Sequence, residues 1–98
     1  MTSISASGVY QCLAEVKIVN RKGLHARASM AFVKCVEEFD AEVTVMKDGL
    51  SVNGTSIMSL LMLAAGPGCE IELRARGAQA QAAIVSLAAL VAAGFDEN

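Results

Sequence analysis

The chain has 98 residues and a hydrophobic fraction of 54%, which suits one domain around a single core and argues against disorder. Aromatics make up 4%, so the core must be built from Val, Ile, Leu, Met and Ala. The formal net charge is −2, and no apolar run reaches the roughly 18 residues needed to span a bilayer.

The stretch Met1 to Gln11 is Ser-rich, with neither a basic start nor a hydrophobic middle, so it does not read as a signal peptide. Residues 1–13 are expected to be a flexible N-terminal extension and residues 14–98 the folded domain. From Ala14 to Val19, apolar Ala14, Val16 and Ile18 alternate with Glu15 and Lys17, the pattern of a half-buried strand. Arg21-Lys22-Gly23 breaks that pattern. From Ala26 to about Phe39, Ala28, Ala31, Phe32, Cys35, Val36 and Phe39 recur at helical spacing and predict a first amphipathic helix.

Glu42 to Met46 alternates again, and Asp48-Gly49 signals a hairpin whose return strand is Leu50 to Val52. Asn53-Gly54-Thr55-Ser56 reads as a loop ending in a helix cap. A second helix over about Ser56 to Ala65 stops at Gly66-Pro67-Gly68. Glu70 to Ala75 is a further strand with Ile71, Leu73 and Ala75 inward, and an Ala-rich helix over about Gln79 to Ala93 ends at Gly94. The order β-α-β-β-α-β-α predicts an α+β fold. An antiparallel sheet with all helices on one face buries these patterns best.

Cys12, Cys35 and Cys69 are odd in number and never paired as C-x-x-C. That fits reduced, mostly buried thiols in the cytoplasm. With a single histidine and no cysteine pair, neither a metal site nor a cofactor is expected. Five of the eight basic residues, Lys17, Arg21, Lys22, Arg27 and Lys34, fall in a stretch without Asp or Glu. Such a patch suits an anionic ligand or an acidic partner, although a solvated cluster of charges would look the same.

His25 stands at the junction of a glycine turn and the first helix, in Gly23-Leu24-His25-Ala26-Arg27. Free N–H groups at a helix start, here of Ala26 and Arg27, bind anions, and the helix dipole adds partial positive charge. Arg27 in the first turn is unfavourable for the helix itself. Holding an oxyanion would compensate. The same field opposes imidazolium formation and so favours a neutral ring, which can attack phosphorus. From the residues alone, His25 could equally be a simple helix cap with a surface arginine nearby.

The string GLHARA, preceded by Asn20 and followed by Phe32-Val33-Lys34 in the helix, resembles the phosphohistidine signature of the HPr family. Those proteins are the histidine phosphocarriers of the bacterial phosphotransferase system. The likeness continues through Thr55-Ser56-Ile57-Met58-Ser59-Leu60-Leu61, with Ser56 at the family's spacing from His25. It extends from about Ala14 to the C-terminus. The segment SLLMLAAGPGCEIEL and the ending GFDEN are most similar to the nitrogen-related NPr branch. One departure is Ala28, which stands where the family usually has proline; alanine keeps the helix but lacks proline's fixed φ.

The resemblance implies an HPr-like open-faced β-sandwich, four antiparallel strands covered on one face by three helices. It implies that His25 accepts a phosphoryl group from an enzyme I-type protein and passes it to an enzyme IIA-type protein, with Arg27 stabilising the phosphate. The carrier would be no enzyme in its own right, since it is itself the substrate of both steps. Ser56 should cap the second helix, and the resemblance adds a regulatory phosphorylation there in bacteria with an HPr kinase/phosphorylase.

At about 100° per residue, Ile57, Leu60, Leu63 and Ala64 share one side of the second helix and Met58, Leu61 and Met62 the other. By analogy with the family, the second group and Lys34 are expected to form a docking surface. A regulatory docking module, controlled by its phosphorylation state, is a further reading. A nucleic-acid-binding domain fits poorly, because Glu15, Glu70 and Glu72 would occupy the open sheet face. A monomer is expected.

Overall fold

A computed structural model describes residues 10–97. The chain runs β1 (Cys12–Lys17), α1 (Ala26–Glu37), β2 (Glu42–Lys47), β3 (Leu50–Asn53), α2 (Ile57–Met62), β4 (Glu70–Arg76) and α3 (Ala80–Ala92), with a final 3₁₀ turn at Gly94–Asp96. The four strands form one antiparallel sheet in the order β1-β4-β2-β3. The expected α+β architecture is the observed one.

Period-two alternation decides which strand residues enter the core. Val43, Val45, Ile71, Leu73 and Ala75 face the helices and are buried. Phe32 and Val36 of α1, Leu60 of α2, and Ala83, Leu87 and Val91 of α3 pack onto them. The opposite sheet face is open and carries Glu15, Glu70 and Glu72. Two of its cations are engaged, Arg74 with Glu72 at 3.1 Å and Arg76 with Glu42 at 2.6 Å.

Three expectations need correction. First, β1 begins at Cys12, two residues before the predicted Ala14, so the sheet takes in part of the presumed extension. Gln11 N donates to Ala75 O at 2.9 Å, and the Tyr10 hydroxyl lies 2.7 Å from Thr44 Oγ1. The extra pairing along β4, with the Tyr10 ring under Arg76 at 5.3 Å, explains the longer strand. Residues 1–9 of the expected extension lie outside the described residues. Second, α2 ends at Met62, short of Ala65, because Ala64 turns to φ 52° and cannot continue the helix. That turn also leaves Ala64 exposed instead of beside Leu60 and Leu63. Third, the three free cysteines are half-buried, not mostly buried. None of the helices among the described residues is long and apolar enough to cross a membrane.

Candidate functional site

His25 is the N-cap of α1, with extended backbone (φ −78°, ψ −176°), and its ring Nδ1 accepts from Arg27 N at 3.3 Å. The cap works because the first turn of a helix has N–H groups with no carbonyl before them. Ser29 N completes the turn by donating to His25 O at 2.8 Å, and the Ser29 hydroxyl donates to Leu24 O. The loop is held from the other side by the turn that follows α2. Leu24 N donates to Ala65 O at 2.9 Å, across Gly23, whose φ is +64°.

The second ring nitrogen has a partner that sequence reasoning missed. His25 Nε2 lies 2.7 Å from Glu97 Oε2, and both side chains are mostly covered, at 22% and 16% exposure. A carboxylate accepts hydrogen bonds only, so Nε2 carries the proton. The long Arg27 N contact then falls on the lone pair of Nδ1. This geometry corresponds to the Nε2–H tautomer, with the Nδ1 lone pair turned toward Arg27 N.

Glu97 is held in turn by Asn20, whose Nδ2 donates to Glu97 Oε1 and to Gly23 O, each at 2.9 Å. The Asn20 hydrogen bond, then those of His25 and the charge of Arg27, hold the Glu97 carboxyl below its usual value of 4.5 against the opposing effect of burial. A carboxyl so depressed adds stability that is present above its unfolded pKa and is lost as pH falls through the folded value. Glu97→Gln is therefore expected to be less stable than the wild type at neutral pH. The gap should close as the medium is acidified below about pH 4, as followed by denaturant unfolding; a gap unchanged with pH would refute this.

Two open hollows flank His25. One, of about 370 Å³, is lined by Arg21, Lys22, Arg27, Asp96 and Glu97. Among the described residues, neither Arg21, Lys22 nor Arg27 holds a salt bridge. The other, of about 340 Å³, is lined by His25 with Lys22, Leu24, Leu61, Ala64, Ala65 and Gly66. A cationic side and an apolar side thus meet at the imidazole. Burial, reinforced by Glu38, pushes the Cys35 thiol up and keeps it protonated.

The expected residues are only partly gathered. Leu61 borders the histidine, and Met58 and Met62 are each 71% exposed on α2. Lys34 lies in the last turn of α1, roughly 13 Å along the helix from His25, and is not part of the immediate site. Met30, 50% exposed one turn into α1, was missed because it falls off the apolar helical face. Ala28 is buried; unlike proline it leaves a backbone N–H in the first turn. Nothing local could have found Glu97, which is 72 residues from His25. Among the described residues no cluster of metal-binding side chains occurs.

Ser56 caps α2, its hydroxyl oxygen accepting from Ser59 N at 3.2 Å and lying 2.9 Å from Ser59 Oγ. Ser56→Ala is expected to lower unfolding stability by about 1 kcal/mol. An unchanged denaturation midpoint would mean that the cap is redundant.

An antiparallel sheet covered on one face by three helices, with a histidine capping the first of them, is the architecture of HPr-like domains. Residues 13–93 match the family model described as "PTS HPr component phosphorylation site". The chain belongs to the HPr family of phosphocarriers of the phosphotransferase system. It is 45% identical to the phosphocarrier protein HPr of Neisseria meningitidis over 83 residues, covering 85% of this chain and 93% of the relative. It is 39% identical to the phosphocarrier protein NPr of Escherichia coli over 84 residues, with the same coverage of 85% and 93%. The crystal structure of HPr-C-His from Thermoanaerobacter tengcongensis superposes with a TM-score of 0.86 at 33% identity, covering 90% of this chain and 99% of that one.

Proposed function

We propose that Nδ1 of His25 is the phosphoryl acceptor, that an enzyme I-type protein supplies the group, and that an enzyme IIA-type protein removes it. The observation that carries this reading is the pairing of the two ring nitrogens, with Nε2 bound to Glu97 and Nδ1 left with only a long contact. In the forward step the Nδ1 lone pair forms the new N–P bond, while the donor's bond to phosphorus breaks and its electron pair stays with the donor. Positive charge develops on the ring as that bond forms. The Glu97 carboxylate, 2.7 Å from Nε2, stabilises it, as a buried carboxylate does for a general-base histidine. The phosphoryl oxygens then lie within the field of the Ala26 and Arg27 N–H groups, and the Arg27 guanidinium offers charge-assisted bonds.

Transfer onward requires that the phosphoryl group not be held too tightly, and a single partly covered histidine on a small domain suits that. The chain is a substrate in both steps and turns over nothing by itself. The carrier is read as a cytoplasmic monomer that works without cofactor or nucleic acid. Met58 and Met62, exposed on the helix that carries Leu61 to the histidine, are the apolar part of the docking surface. Ser56 phosphorylation by an HPr kinase/phosphorylase would add negative charge at the start of that helix.

The test is to incubate the protein with labelled phosphoenolpyruvate and enzyme I from the same cell, then add a candidate enzyme IIA. Label stable in alkali, labile in acid, and discharged onto the second protein is the expected result. An active enzyme I that leaves the chain unlabelled would remove the carrier reading. Labels moving to an enzyme IIA of sugar or of nitrogen metabolism would separate the HPr-like from the NPr-like pathway.

A further inference from the structure

We propose that Asn20 is a positioning residue for phosphoryl transfer, acting through Glu97 to present Nδ1 of His25; this rests on the carrier reading above. Three observations converge on it. Asn20 is 4% exposed, and both hydrogens of its amide nitrogen are used, one on Gly23 O and one on Glu97 Oε1. Those partners are acceptors, so the amide orientation is dictated by them. Its Oδ1 is left buried without a partner. An unmade bond of that kind is a cost the fold carries, and such costs gather where geometry serves function.

The chain also bends sharply to bring Glu97 there. Gly94, Phe95 and Asp96 are consecutive left-handed residues, at φ 64°, 57° and 59°. For the two non-glycines this conformation costs roughly 1–2 kcal/mol each. Phe95 is anchored in the core at 7% exposure, which fixes one end of the bend. The Asn20 bond fixes the other, only two residues later. Without it the Glu97 side chain keeps its tether but loses its direction.

The amide therefore selects one carboxylate position, the carboxylate selects the Nε2–H tautomer, and the tautomer selects which nitrogen attacks. Asn20 makes no hydrogen bond to the ring, and its other bond, to Gly23 O, also braces the turn. The test must separate those two roles.

Asn20→Ala, the nearly isosteric Asn20→Asp, Glu97→Gln and the double variant Asn20→Ala/Glu97→Gln would be compared with wild type. The probe is phosphoramidate, whose P–N bond breaks with release of ammonia as His25 forms its own N–P bond. Ring ¹⁵N shifts report the tautomer before reaction, and ³¹P–¹⁵N spectra report which nitrogen is phosphorylated. Wild type should be Nε2–H and react at Nδ1. Asn20→Ala should give mixed tautomers, some Nε2 product, and Nδ1 phosphorylation slowed about tenfold, as losing an outer partner of a working histidine does. Asn20→Asp, which sets a second carboxylate against Glu97, should do the same, and it keeps the test open should the alanine variant not fold.

In the Glu97→Gln background, Asn20→Ala should add little. Wild-type tautomer and product in both Asn20 variants would overturn the proposal. So would a full Asn20→Ala effect in the Glu97→Gln background, which would place the action in the turn. Phosphoramidate needs no partner protein, so failure of the carrier reading with enzyme I would be seen separately.

Discussion

His25→Asn is expected to lose all phosphoryl acceptance while remaining folded. Asparagine is among the best N-cap residues, so it can still accept from the first turn of α1 where His25 now accepts from Arg27 N. It has no ring nitrogen to form an N–P bond. The chain contains one histidine, so no second imidazole can take its place. Labelling with phosphoenolpyruvate and enzyme I should fall to background, with circular dichroism and the unfolding midpoint close to wild type. Residual acid-labile, alkali-stable label on a folded His25→Asn protein would place the acceptor elsewhere. His25→Ala should give the same loss of label with an added cost of about 1 kcal/mol for the missing cap.

Gly23→Ala is expected to be the most damaging change that leaves every functional side chain in place. A Cβ there would sit 2.3 Å from Ala65 O and 2.9 Å from Gly66 Cα. Both are backbone atoms, so no side-chain rotation relieves the overlap. The left-handed φ of +64° adds roughly 1–2 kcal/mol for a residue with a Cβ. Overpacking of this kind adds a further 1–3 kcal/mol or so, for a total near 3 kcal/mol. Gly49 is the control, since its φ is +84° but nothing lies within 4 Å of a Cβ. Gly49→Ala should therefore lose only the conformational part. Urea denaturation of both variants decides the matter through the midpoint at constant m-value. If the two alanines cost the same, the packing of the His25 loop against the turn after α2 is looser than the geometry implies. Because the Leu24 N bond to Ala65 O crosses the same point, Gly23→Ala should also slow phosphoryl acceptance by moving the start of α1.

These expectations concern a site in which local and distant residues meet, and the two kinds were not equally legible. The order of strands and helices follows from periodicity. Alternation in β2 and β4 put Val43, Val45, Ile71, Leu73 and Ala75 inward, and all five are buried. The helical spacing of α1 likewise placed Phe32 and Val36 in the core. Burial of apolar side chains is the largest favourable term in folding, so a pattern that can be buried in only one way is readable without coordinates. The same holds for His25 and Ser56 as caps, because a cap satisfies N–H groups two or three residues away.

What the sequence could not determine lies where distant segments touch. Cys12 and Leu13 belong to β1 because β4 offers them partners, and Tyr10 lies on the open face because Thr44 and Arg76 receive it. The end of α2 at Met62 depends on a left-handed Ala64 that brings Ala65 O to Leu24. No periodicity encodes either contact. By itself the sequence determined the class of fold and the place of His25 among nearby cations at a helix start, since those rest on residue type and local spacing. Only the tertiary structure decided which ring nitrogen is free, because that depends on a carboxylate 72 residues away and on the buried amide that aims it. Hydrogen bonds are short-ranged and directional. Their partners become known only when the chain has brought its two ends together.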